Sequence, residues 1–151
     1  MISEKLIQLL NKDISNEYKH MNFYLYSSMI IQGLHREEYM EFLSKEASSE
    51  MSHIQEFGKM ILGLGAELQI DYSIVNSFPK NLTDPYDILN YALQIENEVV
   101  SNYVERISQT TEETDLVNAK YIELFLEDQI MASRGDADNL KQIIGFLPKT
   151  S

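Results

Sequence analysis

The chain has no cysteine. That excludes disulfides, thiolate metal ligands and a cysteine nucleophile, and it is compatible with a reducing cytosol. Basic residues are scarce: 12 Lys and Arg stand against 24 Asp and Glu, a formal net charge of −12. Phosphate backbones need a basic face, so nucleic acid is not an expected partner. Cations are the better counterpart, although acidity also serves solubility. No stretch approaches the roughly 18 apolar residues of a membrane span. Residues 1–12 lack an apolar core of signal-peptide length. The expectation is a soluble, cytoplasmic protein with no membrane partner. Its 151 residues fit one domain, 1–151. A domain of this size buries about 68–70% of its unfolded surface.

Proline and glycine are also few, three and six, and they fall where helices should stop or start. A first helix is expected over 3–32, with Gly33 as its stop. A second runs over 36–62 and ends at Gly63-Leu64-Gly65. Residues 66–83 show no sustained period, and Pro79 with Asn81-Leu82-Thr83 marks a loop. Asp84-Pro85 is a helix start, Asp as cap and Pro in the first turn. A third long helix is expected over 85–109 and a fourth over 115–146, followed by Pro148. Gly135, inside the last, costs roughly 1 kcal/mol against Ala and suggests a kink or close packing. Short links make each pair an antiparallel hairpin. The link of some 20 residues between the pairs is unusual in a compact domain. An all-α four-helix bundle with one long crossover accounts for it.

The apolar stripes of these helices contain polar residues. The first reads Leu10, Ile14, Glu17, Met21, Tyr24, Ser28. The second reads Tyr39, Leu43, Glu46, Glu50, His53, Phe57, Met60, Leu64. The third reads Leu89, Leu93, Glu96, Val99, Tyr103. The fourth reads Ile122, Phe125, Gln129, Ala132, Asp136, Leu140, Ile143. A buried unpaired carboxylate costs several kcal/mol, so its recurrence at one depth points to a metal site. Glu50 and His53, one turn apart, can grip one ion. Glu17, Glu50, His53, Glu96 and Gln129 can meet at mid-bundle, with Glu50 bridging two ions. Three carboxylates and one imidazole suit iron. Tyr24, two turns from Glu17, is placed to hydrogen-bond a ligand or supply an electron.

This pattern resembles the ferritins, over nearly the whole chain. The likeness is closest to the non-haem ferritins with Gln-x-x-Ala on the last helix, here Gln129 and Ala132. Bacterioferritins carry a second Glu-x-x-His there. The resemblance implies a ferritin-like four-helix bundle with a di-iron ferroxidase centre. Glu17, Glu50 and His53 would hold one iron, and Glu50 and Glu96 the other. Gln129 would lie close by, and Tyr24 would hydrogen-bond near the centre. Fe²⁺ would be oxidised by O₂ or peroxide and stored as a ferric mineral. The implied assembly is a homo-oligomeric cage built from dimers, the 24-mer first among the options. Dimerisation through the first two helices is expected from outward apolar residues such as Tyr26, Met29 and Ile30.

The chain departs from the family in places. Ser49 stands where many ferritins have a second Glu, so no accessory iron site is expected. Ala119 and Ile122 stand where animal ferritins place channel carboxylates. After Pro148 no short fifth helix is expected. Met51 occupies the position of the bacterioferritin haem ligand, but Met is a common interface filler, and haem is not expected. Glu46 reads as a salt-bridged surface residue or a guide for incoming iron. Glu127 and Asp128 read as surface charge, and so do His20 and His35. Asp136 faces inward by phase but is expected to lie well away from the site, and no role is assigned to it. The alternatives are a non-catalytic shell or storage subunit, and another di-metal oxidase on the same bundle.

Overall fold

The computed structural model describes residues 1–148. Its helices are α1 (Glu4–Ile30), α2 (Arg36–Gly63), α3 (Tyr72–Val75), α4 (Pro85–Thr110) and α5 (Leu116–Ile144). The four long helices match the sequence reading to within two residues at each end. The expected domain 1–151 extends three residues beyond the described ones.

The capping signals act as read. The Ser3 side chain accepts from the Leu6 amide. Asp84 accepts from the amides of Tyr86 and Asp87, with Pro85 in the first turn. Asp115 accepts from the Asn118 amide. Each satisfies a backbone donor that the first helical turn leaves unpaired. Gly33 turns the chain between α1 and α2 at φ 125°, a conformation other residues rarely adopt.

α1 packs chiefly on α2, and α4 on α5; α1 also meets α4, and α2 meets α5. The crossover between α2 and α4 is tied to α1 by side chains. Asn11 Nδ2 donates to the Glu67 carbonyl at 3.1 Å, and its Oδ1 accepts from the Gln69 amide at 2.8 Å. Ser15 Oγ accepts from the Asp71 amide at 3.0 Å. The segment expected to be structureless thus satisfies its backbone on α1 and contains the one-turn helix α3. α5 runs unbroken through Gly135, where a Cβ would meet nothing within 4 Å. Close packing is therefore not the reason for that glycine. No helix among the described residues is long and apolar enough to cross a membrane.

Buried apolar side chains form two clusters. One contains Leu10, Ile14, Phe57, Val99, Ile122 and Leu126. The other contains Phe23, Leu43, Ala92, Ile95 and Leu140. Along every long helix, a polar stretch separates the residues of one cluster from those of the other.

Candidate metal centre

That polar layer is built from one or more residues of each long helix. α1 supplies Glu17 between Ile14 and Phe23. α2 supplies Glu50 and His53 between Ala47 and Phe57. α4 supplies Glu96 between Ile95 and Val99. α5 supplies Gln129, Ser133 and Asp136 between Leu126 and Leu140. Glu17, Glu50 and Glu96 are 3%, 3% and 1% exposed. Their depth matters because carboxylates this buried are rare without a compensating charge.

Two groups of potential ligand atoms are preassembled. Glu17, Glu50 and His53 offer atoms all within 4.8 Å of one another; so do Glu50, Glu96 and Asp136. Glu50 belongs to both and is the shared wall between them. His53 Nδ1 lies 3.8 Å from Glu50 Oε2. Two tyrosines brace the outer carboxylates. Tyr24 Oη donates to Glu96 Oε1 at 2.9 Å. Tyr103 Oη donates to Glu17 Oε1.

Burial raises the carboxyl pKa values, and mutual repulsion adds to it. Glu17 is pushed well above the usual range, first by burial and then by the charge of Glu50. Glu50 rises to about 8, mainly by burial; a hydrogen bond from Glu17 opposes this, while Glu96, Asp136 and Glu46 push it further up. Glu96 also rises to about 8, by burial and then Asp136, against the pull of the Tyr24 and Ser133 hydroxyls. Glu46 is half-buried and rises to about 7 through burial and Asp136. With no cation the site must hold protons.

The residues fit a pair of divalent cations. Glu50 Oε2 and Glu96 Oε2 are buried with no hydrogen-bond partner among the described residues. A bound cation would give such oxygens the partner they lack. The donor set, carboxylate oxygens and one imidazole with no sulfur, suits iron or another hard-to-borderline metal. Glu17, Glu50 and His53 would hold one ion, and Glu50 and Glu96 would reach the second.

Tyr24, Glu17, Glu50, His53 and Glu96 therefore come together where the stripes placed them. Glu98, two residues beyond Glu96 on the same helix, is exposed. Gln129 is buried at 5% exposure and lies seven residues before Asp136. Two positions differ from the sequence reading. Asp136 is not remote: it faces Glu50 and Glu96. Its inward phase is legible in the sequence, but its level in the bundle is set by how α5 packs on its neighbours. His20 is not a surface residue: it is 4% exposed, and its Nδ1 has no hydrogen-bond partner. It sits beside a small polar cavity of about 40 Å³ shared with Asp13, Glu98 and Asn102. His35 is exposed, as read, and so are Glu127 and Asp128. Tyr103 was read only as part of an apolar stripe; its hydroxyl gives it a second role that an aromatic in such a stripe does not advertise.

The sequence matches a family model described as a ferritin-like domain over residues 7–144. A probable bacterial non-heme ferritin-like protein of Haemophilus influenzae is 24% identical over 129 residues, covering 85% of this chain and 77% of the relative. A bacterial non-heme ferritin of Bacteroides fragilis is 22% identical over 145 residues, covering 94% of this chain and 90% of that protein. Among solved structures, a ferritin-like, diiron-carboxylate protein from Bacillus anthracis superposes with a TM-score of 0.76. It is 25% identical and covers 93% of this chain and 96% of its own.

Proposed function

The chain belongs to the ferritin-like domain family, and from that premise we propose that it is an iron-storage protein with a di-iron ferroxidase centre. The observation that carries this reading is Glu50, shared by two groups of preassembled ligand atoms. Relatives named as non-heme ferritins and a diiron-carboxylate neighbour support the choice of iron.

Fe²⁺ is the substrate. Glu17, Glu50 and His53 bind one ion, and Glu50 with Glu96 binds the other, with Gln129 as a further polar contact. Each Fe²⁺ gives up one electron. The pair reduces one O₂ to H₂O₂ with uptake of two protons, or one H₂O₂ to two waters, again with two protons. Carboxyl groups that hold protons in the empty site release them as iron enters. Tyr24 and Tyr103 fix Glu96 and Glu17 in orientation, as partners of metal ligands commonly do. The Fe³⁺ product then moves to a mineral core.

In this reading one ferritin-like domain, cytoplasmic in location, assembles into a homo-oligomer. Leu25, Met29, Met51 and Leu62 of α1 and α2 are about half exposed, which supports dimerisation through these helices. Tyr26 contributes less than expected, because its ring packs edge-on against Phe78 of the crossover. A cage built from such dimers, the 24-mer first, is the proposed storage form. Haem plays no part.

The test is anaerobic loading with Fe²⁺ followed by mixing with O₂, read by stopped-flow absorbance, for the wild type and Glu50→Ala. A fast ferric signal that saturates near two iron per subunit and vanishes in the variant supports the reading. A wild-type rate no faster than spontaneous oxidation would assign the chain to a non-catalytic shell.

A further inference from the structure

We propose that Asp136 is the metal ligand that α5 supplies to the second subsite, so that Glu50, Glu96 and Asp136 form it. This rests on the di-metal reading above and specifies one of its subsites.

The first observation is position. Oxygen atoms of Glu50, Glu96 and Asp136 lie within 4.8 Å of one another, drawn from α2, α4 and α5. Ligand oxygens around one octahedral cation are separated by about 2.9–4.2 Å when each bond is about 2.1 Å. The second observation is independent of the cluster as such. Glu50 and Glu96 are at least nine-tenths buried, and each retains an oxygen with no hydrogen-bond partner among the described residues. These are the two residues that Asp136 faces.

Helix geometry then separates Asp136 from Gln129. Seven residues at 1.5 Å rise put them about 10 Å apart along α5. Both face inward, yet at different levels. Asp136 is near the Leu140 end of the polar layer, and Glu96 follows Ile95, which packs in the same apolar cluster as Leu140. Gln129 is on the side of Leu126, in the cluster that contains Tyr103. The packing of α4 on α5 brings the Asp136 carboxylate to the level of Glu96.

Charge supplies a further reason. Glu17, Glu50, Glu96 and Asp136 together carry four negative charges when ionised, and two divalent cations balance them. With three carboxylates the loaded site would keep one excess positive charge in a largely buried layer, at an electrostatic cost. Asp136 is half-buried. Its charge reaches Glu46 as well as the two deeper carboxylates.

The experiment is a Co²⁺ titration of the metal-free protein, followed by visible d–d absorption, for the wild type, Asp136→Asn and, as a control, Asp128→Asn, an exposed carboxylate of the same helix. Asn has nearly the shape of Asp but is a poor ligand. The proposal expects two Co²⁺ per subunit in the wild type and in Asp128→Asn. In Asp136→Asn it expects one tight Co²⁺ and a second weakened at least tenfold. Melting of the metal-free proteins adds a readout with its own sign: Asp136→Asn removes repulsion on Glu50 and Glu96, so the empty variant melts higher while its gain on adding Co²⁺ shrinks. Two unweakened Co²⁺ in Asp136→Asn, or a second ion weakened equally in Asp128→Asn, would overturn the assignment alone. A wild type that binds no Co²⁺ would overturn the di-metal reading and the assignment together.

Discussion

The Tyr24 hydroxyl, on α1, donates to Glu96 Oε1 on α4 at 2.9 Å, while the other Glu96 oxygen has no hydrogen-bond partner among the described residues. One oxygen is held and the other is left for a ligand. This arrangement orients the carboxylate without using up its binding capacity. Tyr24→Phe removes the hold. The folded state should lose about 1 kcal/mol. Metal affinity at the second subsite, or the initial rate of Fe²⁺ oxidation, should fall by about 10-fold or more. Stopped-flow traces beside a thermal melt separate the two effects, and a rate equal to wild type would show that the hydroxyl does not position Glu96.

In the proposed function, metal and protons compete for the same carboxylates. Glu50 and Glu96 rise to about 8 in the folded chain, against about 4.3 unfolded. Their raised values favour the empty folded state fully below the unfolded pKa. That contribution is lost as pH rises through about 8. Bound divalent cations reverse the trend, because they need the ionised form. Added Co²⁺ at about 100 times its Kd should stabilise by about 2.7 kcal/mol, or about 5–10 °C in Tm for a chain of this size. At fixed Co²⁺ the increment should be larger at pH 8 than at pH 6, and chelation should abolish it. Differential scanning fluorimetry at the two pH values reads this directly.

His20 carries the opposite linkage. Burial depresses its pKa from 6.5 to about 3, with a smaller push from Lys19. Between those values the unfolded chain binds a proton that the folded chain refuses. Stability from this residue is complete above about pH 6.5 and falls as pH drops toward 3. The slope is at most about 1.4 kcal/mol per pH unit. Replacing His20 with Leu should shrink the difference in unfolding free energy between pH 7 and pH 5 by about 2 kcal/mol. Urea melts of both proteins at both pH values isolate it, since the carboxylate contributions are common to the pair.

Asp13 and Arg106 form a third buried tie between α1 and α4, beside Tyr24–Glu96 and Tyr103–Glu17. Arg106 Nε and Nη2 donate to Asp13 Oδ2 and Oδ1 at 2.7 and 2.9 Å. Burial raises the Asp13 pKa despite the guanidinium beside it, so the pair holds an expensive charge in place. Arg106→Leu should cost about 3–5 kcal/mol, because Asp13 is left buried and unpaired. Asp13→Leu combined with Arg106→Leu should recover most of that loss. A double variant as unstable as the single one in urea would mean that packing, not charge, dominates there.

The stripes of α2 and α4 were legible because each helix has one inward face, and Glu50, His53 and Glu96 interrupt it in phase. α1 was harder to read. It meets α2, α4 and the crossover, so Asn11, Asp13, Ser15 and His20 are buried off the stripe defined by Leu10 and Tyr24. A single-face reading necessarily sends such residues to the surface. On α5 the phase of Asp136 was visible. Its level was not, because the axial register of two antiparallel helices depends on their packing and not on either sequence alone. The hydrogen bond from Tyr103 to Glu17 likewise needs both helices in place.

The most direct test of the account is the position of the metals themselves. Crystals prepared without oxygen, loaded with Fe²⁺ and measured at the iron absorption edge should show two anomalous peaks per subunit in the layer between the two apolar clusters. Glu50 should lie between them. A single peak, or peaks only at surface carboxylates such as Glu127 and Asp128, would contradict a centre bridged by Glu50.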